Sequence, residues 1–303
     1  MRGLLYGVTA PIAKNPARRS GRDFFARAPC VGGGGCVKLK RSKNEGEEVS
    51  VLDDQKDCRA AQAMAARIRA LLRADVPVYG YETLDSTSEE CRRRIAAGQT
   101  ACLVLAEEQT AGRGRCGRSF FSPPGSGLYM SLAFPREGFD PAALTTYAAV
   151  CAAEAIEGLT GVSCGVKWVN DLYLRGKKVG GILTEAVGGT VIIGVGVNLQ
   201  PSAVPPELRD TVGTLGCGDV RAELAAAVAD GLLAWPGDFS HLDAYRRRSI
   251  LSGRMVSFPR GGVELNGSVA GIADDGALLV RTAEGTLALR SGEVRLTHIE
   301  GLR

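Results

Sequence analysis

Residues 109–118 read QTAGRGRCGR, placing Arg113, Arg115 and Arg118 on a backbone loosened by Gly112, Gly114 and Gly117. Guanidinium groups on such a loop suit bidentate capture of a carboxylate or a phosphate. The three glycines formally satisfy GxGxxG, but a dinucleotide-binding loop opens a helix whose N-terminus holds the pyrophosphate. Here FFSPPGSG follows at once, and Pro123-Pro124 cannot continue a helix. No GxxxxGK[ST] occurs, which excludes a P-loop. Taken alone, the loop is equally a solvated basic segment or an Arg-Gly contact to nucleic acid.

Three further constellations narrow the chemistry. Lys167-Trp168-Val169-Asn170-Asp171 falls at the end of a predicted strand, where Lys, Asn and Asp are costly to bury unless they face a ligand or one another. Eleven residues on, Lys178 closes a predicted tight hairpin ahead of VGGIL, whose glycines permit close backbone approach. Asn198 ends the apolar run VIIGVGVN as a polar tip. A turn lysine and a capping asparagine would explain each singly. Together they bring cations, amide donors and a carboxylate to strand ends, as binding ATP beside an acid substrate requires. Ser86-x-x-Glu89 reads as a capping box, and Trp168, Phe120 and Phe121 read as pocket wall.

These residues need a scaffold, and the pattern from Val76 onward supplies one. VPVYGYE, ACLVLAEE and GLYMSLAF read as strands, with a helix opening at DSTSEE and a long helix from Pro141 to about Leu159, ended by Gly158 and Gly161. GVKWVNDLYL, KVGGILTEAV and TVIIGVGVNL are apolar β-rich runs separated by RGK and GGT turns. They predict adjacent hairpins and an at least partly antiparallel sheet. Helices are predicted over 220–234 and 241–250, and an Ala/Arg/Leu pattern predicts another over 60–72. The last 50 residues, with turn signals RGG, DDG, AEG and SGE, read as a small β-barrel.

Composition removes other classes. The 303 residues, 45% hydrophobic, suffice for about two domains. The net charge of +4 is a property of the start: residues 1–50 hold ten Lys/Arg against four Asp/Glu, leaving 27 against 29 for the rest. Nine cysteines include no CxxC pair, which argues against a disulfide framework or zinc knuckle and for a reducing cytosol. With only His241 and His298, there is little material for a His-ligated metal or a Ser-His-Asp triad. No uncharged stretch is long and unbroken enough to span a bilayer, so a cytoplasmic protein without membrane association is expected. Residues 1 to about 54 lack periodicity and predict little fixed structure, with Met64 an attractive beginning.

GRGRCGRSFFSPPGSGLYMSL, KWVNDLYLRGKKVGGILTE and IIGVGVNL resemble the three main motifs of the biotin protein ligases. GSVAGIADDGALLV…GEVRL is similar to that family's small C-terminal domain. The match covers about residues 76–303, with Phe120 where the family usually has Trp, Val169 where it has Pro, and Ser88 where Asn is common. The resemblance implies an α+β fold: a mixed, largely antiparallel sheet packed with helices over 61–250, and an SH3-like barrel over 252–303, behind an extension of 1–60. It implies an AMP-forming ligase that uses ATP and Mg2+ to convert biotin to biotinyl-5′-AMP. The biotin would then pass to a lysine of the biotin carboxyl carrier protein of a carboxylase.

By family position, Lys178 touches both the biotin carboxylate and the α-phosphate. Arg113, Gly114 and Arg115 fold over biotin and adenylate, and Ser86, Thr87 and Gln109 meet the biotin ring. Arg118, Lys167, Asn170, Asp171 and Asn198 serve the nucleotide, with Asp171 the candidate magnesium ligand. A homodimer is compatible with the resemblance, and specific DNA binding is not expected, since no winged helix is recognisable. Two rivals remain at this level: a lipoate or octanoate ligase of similar chemistry, and a nucleic-acid-binding module using the arginine loop.

Overall fold

The computed structural model describes residues 52–201 and 204–297. The expectation about the first 51 residues, and His298, lie outside that description. The first helix, α1 (Leu52–Leu71), begins eight residues ahead of the predicted Ala60. Ala61, Ala65 and Ile68, spaced for one helical face, are buried. Ala61 donates its amide to Glu82 Oε1 at 2.9 Å. A Cβ on Gly80 would lie 2.1 Å from the Ala61 carbonyl, so the helix rests directly on bare strand backbone. Packing therefore starts ahead of Met64, the residue that reads as an attractive beginning, and within the helix predicted from Ala60.

The central sheet contains β1 (Val78–Leu84), β2 (Cys102–Gln109), β3 (Gly127–Pro135), β4 (Gly165–Lys167), β5 (Asp171–Leu174), β6 (Lys177–Val187) and β7 (Thr190–Asn198). Their order is β1-β2-β3-β7-β6-β5-β4. Only β1 and β2 run parallel, because the helix α2 (Thr87–Ala96) crosses between them; all other neighbours are antiparallel. Alternation along β2 sends Leu103 and Leu105 into the main core and Cys102 and Val104 into a second cluster with Cys91 of α2. Against the main-core face pack α1, α3 (Pro141–Thr160) and α4 (Arg221–Leu233). The α3 helix starts where Asp140 accepts from the amides of Ala142 and Ala143, and ends at Gly161 with φ 71°.

One predicted run divides. GVKWVNDLYL is not a single strand but the hairpin β4–β5, with Trp168–Asn170 as its tip and Lys167 paired with Asp171. The short helix α5 (Leu242–Arg248) leads into β8 (Met255–Arg260), β9 (Val263–Ile272), β10 (Leu278–Thr282), β11 (Gly285–Leu289) and β12 (Arg295–Leu296). These form a separate antiparallel sheet in the order β11-β10-β9-β8-β12, consistent with the predicted barrel. Its apolar face is continuous with the main core, and Trp168 Nε1 donates to the Gly276 carbonyl at 3.0 Å, joining the hairpin tip to that sheet.

Candidate active site

A cavity opens where the ends of β2, β6 and β7 meet the start of α2, the β4–β5 tip and the 292–294 segment. Its floor is the small face of β7. A Cβ on Gly194 would come 3.1 Å from Ser88 Oγ, and one on Gly196 would come 2.5 Å from the Phe120 ring. Side chains at these alternate positions would fill the hollow.

At one end the groups are neutral and their polarity is fixed by proton count. Ser122 Oγ lies 3.0 Å from the Phe120 carbonyl and 2.9 Å from Gln109 Nε2, so it gives its one proton to the former and accepts from the latter. Gln109 Oε1 therefore faces Thr87, accepting from its amide at 2.9 Å and its hydroxyl at 3.2 Å. Ser131 Oγ bridges Thr87 at 2.7 Å and Ser88 at 3.0 Å beneath them. Ser86 is buried against the cavity at the N-cap of α2, but its hydroxyl caps no backbone amide. The expected capping box does not form, because Asp85 Oδ1 takes the Ser86 amide at 2.8 Å and Glu89 turns to Arg113 at 2.7 Å.

The other end is cationic: among the described lining residues, five basic side chains face two carboxylates, Asp171 and Glu293. Lys178 Nζ meets Asp171 Oδ1 at 2.7 Å. The lysine, expected to close a tight hairpin, is second in β6, the strand directly after the Arg175-Gly176 turn. Its backbone is clamped by the 211–213 segment, accepting from Gly213 and donating to Thr211, both at 2.8 Å. Burial lowers the Lys167 ammonium below the usual lysine range, opposed by Asp171. Asn170 donates to the Ile182 carbonyl at 2.6 Å, pinning the hairpin tip to β6.

The arginine loop is a narrow hairpin over this cavity. Gly114 donates to the Arg118 carbonyl at 2.7 Å and Phe120 to the Gly112 carbonyl at 2.9 Å. Cys116 and Gly117 turn it with φ 55° and 73°. Its three guanidiniums reach three separate elements. Arg113 meets Glu89 of α2, Arg115 donates to Asn170 Oδ1 at 3.1 Å and the Gly292 carbonyl at 3.2 Å, and Arg118 pairs with Glu293.

Eleven of the twelve sequence-predicted residues thus line one cavity: Ser86, Thr87, Gln109, Arg113, Gly114, Arg115, Arg118, Lys167, Asn170, Asp171 and Lys178. Asn198 is not among them; its amide donates to the Gly213 carbonyl at 3.1 Å, holding the segment that clamps Lys178. Phe120 and Trp168 line the wall, whereas Phe121 does not. Sequence reasoning missed Ser122, Ser131, Gly194, Gly196 and Glu293. The period-two glycines of VIIGVGVN were the one available signal, marking a strand face without side chains. No group of three metal-ligating side chains exists among the described residues. The donor set, Asp171 with Glu293 nearby, suits a magnesium ion that brings its remaining ligands as phosphate oxygens and waters.

Comparison with known proteins decides the family. Residues 80–200 match the model of the biotin/lipoate A/B protein ligase family, and residues 251–296 match the biotin protein ligase C terminal domain. The Escherichia coli bifunctional ligase/repressor BirA is 31% identical over 72% of this chain and 73% of its own length. The chain belongs to the biotin/lipoate A/B protein ligase family. Within it, the biotin–[acetyl-CoA-carboxylase] ligase of Paracoccus denitrificans is 30% identical over 69% of this chain and 96% of its own. The biotin protein ligase of Aquifex aeolicus, solved with biotin and ATP, superposes with a TM-score of 0.65 at 27% identity, over 74% of this chain and all of its own.

Proposed function

We propose that this chain is a biotin protein ligase: it activates biotin with ATP to biotinyl-5′-AMP and transfers it to a lysine of a biotin carboxyl carrier protein. The observation that carries this is a single cavity with a neutral hydroxyl–amide end and a cationic end. A ureido ring, which offers one carbonyl and two N–H groups, is matched by hydroxyls and an amide. With Oε1 committed to Thr87 and one N–H to Ser122, Gln109 keeps one N–H for a ligand, and the Ser86 hydroxyl is uncommitted.

The chemical difficulty is bringing a carboxylate nucleophile to a phosphate, since both are anions. Lys178 would neutralise the charge that concentrates at the reacting oxygens, held in place by Asp171 and by its clamped backbone. Lys167, Asn170 and Asp171 would orient the nucleotide, with Arg118 toward its phosphates and Asn198 acting through the 213 segment. Arg113, Gly114 and Arg115 would cover biotin and then the adenylate, excluding water from a hydrolysable anhydride. A magnesium ion held at Asp171 would supply charge neutralisation at the ATP phosphates.

We divide the chain into a catalytic part over 61–250 and a C-terminal domain over 252–303, following an extension of 1–60. We assign it to the cytoplasm; no described helix is long and apolar enough to cross a membrane. The match of 251–296 to the C-terminal domain named for biotin protein ligases favours biotin over lipoate. The test is mass analysis of a biotin carboxyl carrier domain incubated with the protein, biotin and ATP. One biotinyl group on a single lysine is expected, and an unmodified carrier would refute the proposal.

A further inference from the structure

At the far end of the β4–β5 hairpin from the active cavity lies a second hollow, of about 290 Å3. Ser163, Tyr173, Arg175, Arg247, Arg248 and Ser249 supply its polar lining, which contains no carboxylate and shares no residue with the active cavity. We propose that it binds a small phosphate-class oxyanion.

Three observations carry the proposal. Arg248 is fixed, its Nη2 paired with Glu157 beside the hollow and its Nη1 3.5 Å from Ser163 Oγ and the Cys164 carbonyl. The Arg175 and Arg247 side chains are exposed and make no hydrogen bond or ion pair with any described residue, so two planar forks line a hollow whose wall offers no acid. Finally, Arg175 sits where an arginine is out of place. Leu174 pairs with Lys177 across a two-residue turn in which Arg175 has φ 49° and Gly176 φ 76°. Such turns favour Asn, Asp or Gly first, because other residues meet a steric cost at positive φ.

Cations in the last turn of α5 offset the negative helix end, which accounts for Arg247 and Arg248 but not for Arg175, on a different element. Guanidinium forks match phosphate bidentately, and 290 Å3 lies at the small end of ligand cavities. That size suits inorganic phosphate or a compact phosphate ester. An anion there would tie the β5–β6 turn to the end of α5. The segment that follows is already joined to β4 by the Ile250 amide, 3.0 Å from the Val166 carbonyl.

The test is calorimetric titration of the full chain with inorganic phosphate, without biotin or ATP, in parent, R175N/R247Q and K178A proteins. Asn suits the left-handed position, so R175N removes charge while keeping the turn. Phosphate affinity is expected to fall at least tenfold in R175N/R247Q and to persist in K178A. Biotin-dependent pyrophosphate exchange by R175N/R247Q should stay within twofold of the parent in phosphate-free buffer, showing an intact fold. If that exchange is lost, the single variant R175N, with an expected loss of at least threefold, takes its place. Unchanged affinity in the arginine variants, loss of binding in K178A, equal affinity for acetate, or no phosphate binding by the parent would overturn the proposal.

Discussion

Replacing Lys178 by Ala separates catalysis from folding, because the structure assigns the lysine different weights in each. Its ion pair with Asp171 spans 2.7 Å, but the two side chains are 32% and 23% exposed. Solvent screening at such exposure leaves a net contribution of at most about 1 kcal/mol. Asp171 also remains hydrated once the partner is gone, so no buried charge is stranded. The same ammonium, aimed at charge that develops only in the transition state, is worth roughly 3 to 4 kcal/mol, or two to three decades in rate. Biotin-dependent pyrophosphate exchange should therefore fall at least a hundredfold in K178A, while urea denaturation shows a loss of no more than about 1 kcal/mol. K178R should recover part of the rate, since a planar fork replaces a compact ammonium imperfectly. Exchange within tenfold of the parent, or a stability loss large enough to account for the rate, would refute the reasoning.

Arg115→Gly removes the donors to Asn170 and the Gly292 carbonyl, charge-assisted bonds worth about 1.5 to 3 kcal/mol each when shielded. The variant should form the adenylate at a comparable rate yet release it, seen as biotin on bystander albumin well above the parent's labelling; equal labelling means the loop is not the cover. Gly196→Ala should raise the KM for biotin about tenfold, because the new methyl overlaps the Phe120 ring and overpacking costs about 1 to 3 kcal/mol; adding Phe120→Leu should restore much of it, and a failure to do so places the clash elsewhere. His241 is held neutral by burial, its pKa lowered to about 4. The unfolded chain thus binds the proton first, so stability should decline as pH falls from about 6.5 to about 4 and stay flat above. His241→Gln should flatten that slope in denaturation curves taken across this window, and an unchanged slope would contradict the assignment.

Much of this arrangement is legible in the residues themselves. The β6–β7 hairpin followed from two apolar β-rich runs and the GGT turn between them, and α3 from Pro141 and Gly161, because local chemistry dictates both. The KWVND segment was legible as a site at a strand end, where β4 does end, but the run around it was misread as one strand. Its apolar flanks look the same in a continuous strand and in a hairpin, and only the antiparallel pairing of β4 with β5, Lys167 opposite Asp171, distinguishes them. Ser86 and Glu89 show the converse: a valid local capping pattern yields when Arg113, 24 residues beyond Glu89, competes for the carboxylate. Ser131 and Glu293 were invisible because their roles exist only in the folded chain. One lies in an apolar strand beneath Thr87, and the other comes from the segment between β11 and β12, more than 170 residues from Arg118. Asn198 was found for the wrong reason, as a polar strand tip that turns toward Gly213 and not toward the cavity.

The most direct measurement is ATP–pyrophosphate exchange by the unmodified protein with biotin, lipoate and octanoate compared side by side. A neutral pocket whose donors and acceptors are set by Ser122, Gln109 and Thr87 predicts rapid exchange with biotin and at least a hundredfold lower kcat/KM with the two fatty acids, which have no ureido group to satisfy it. Exchange with lipoate or octanoate equal to that with biotin, or no exchange with biotin at all, would contradict the account.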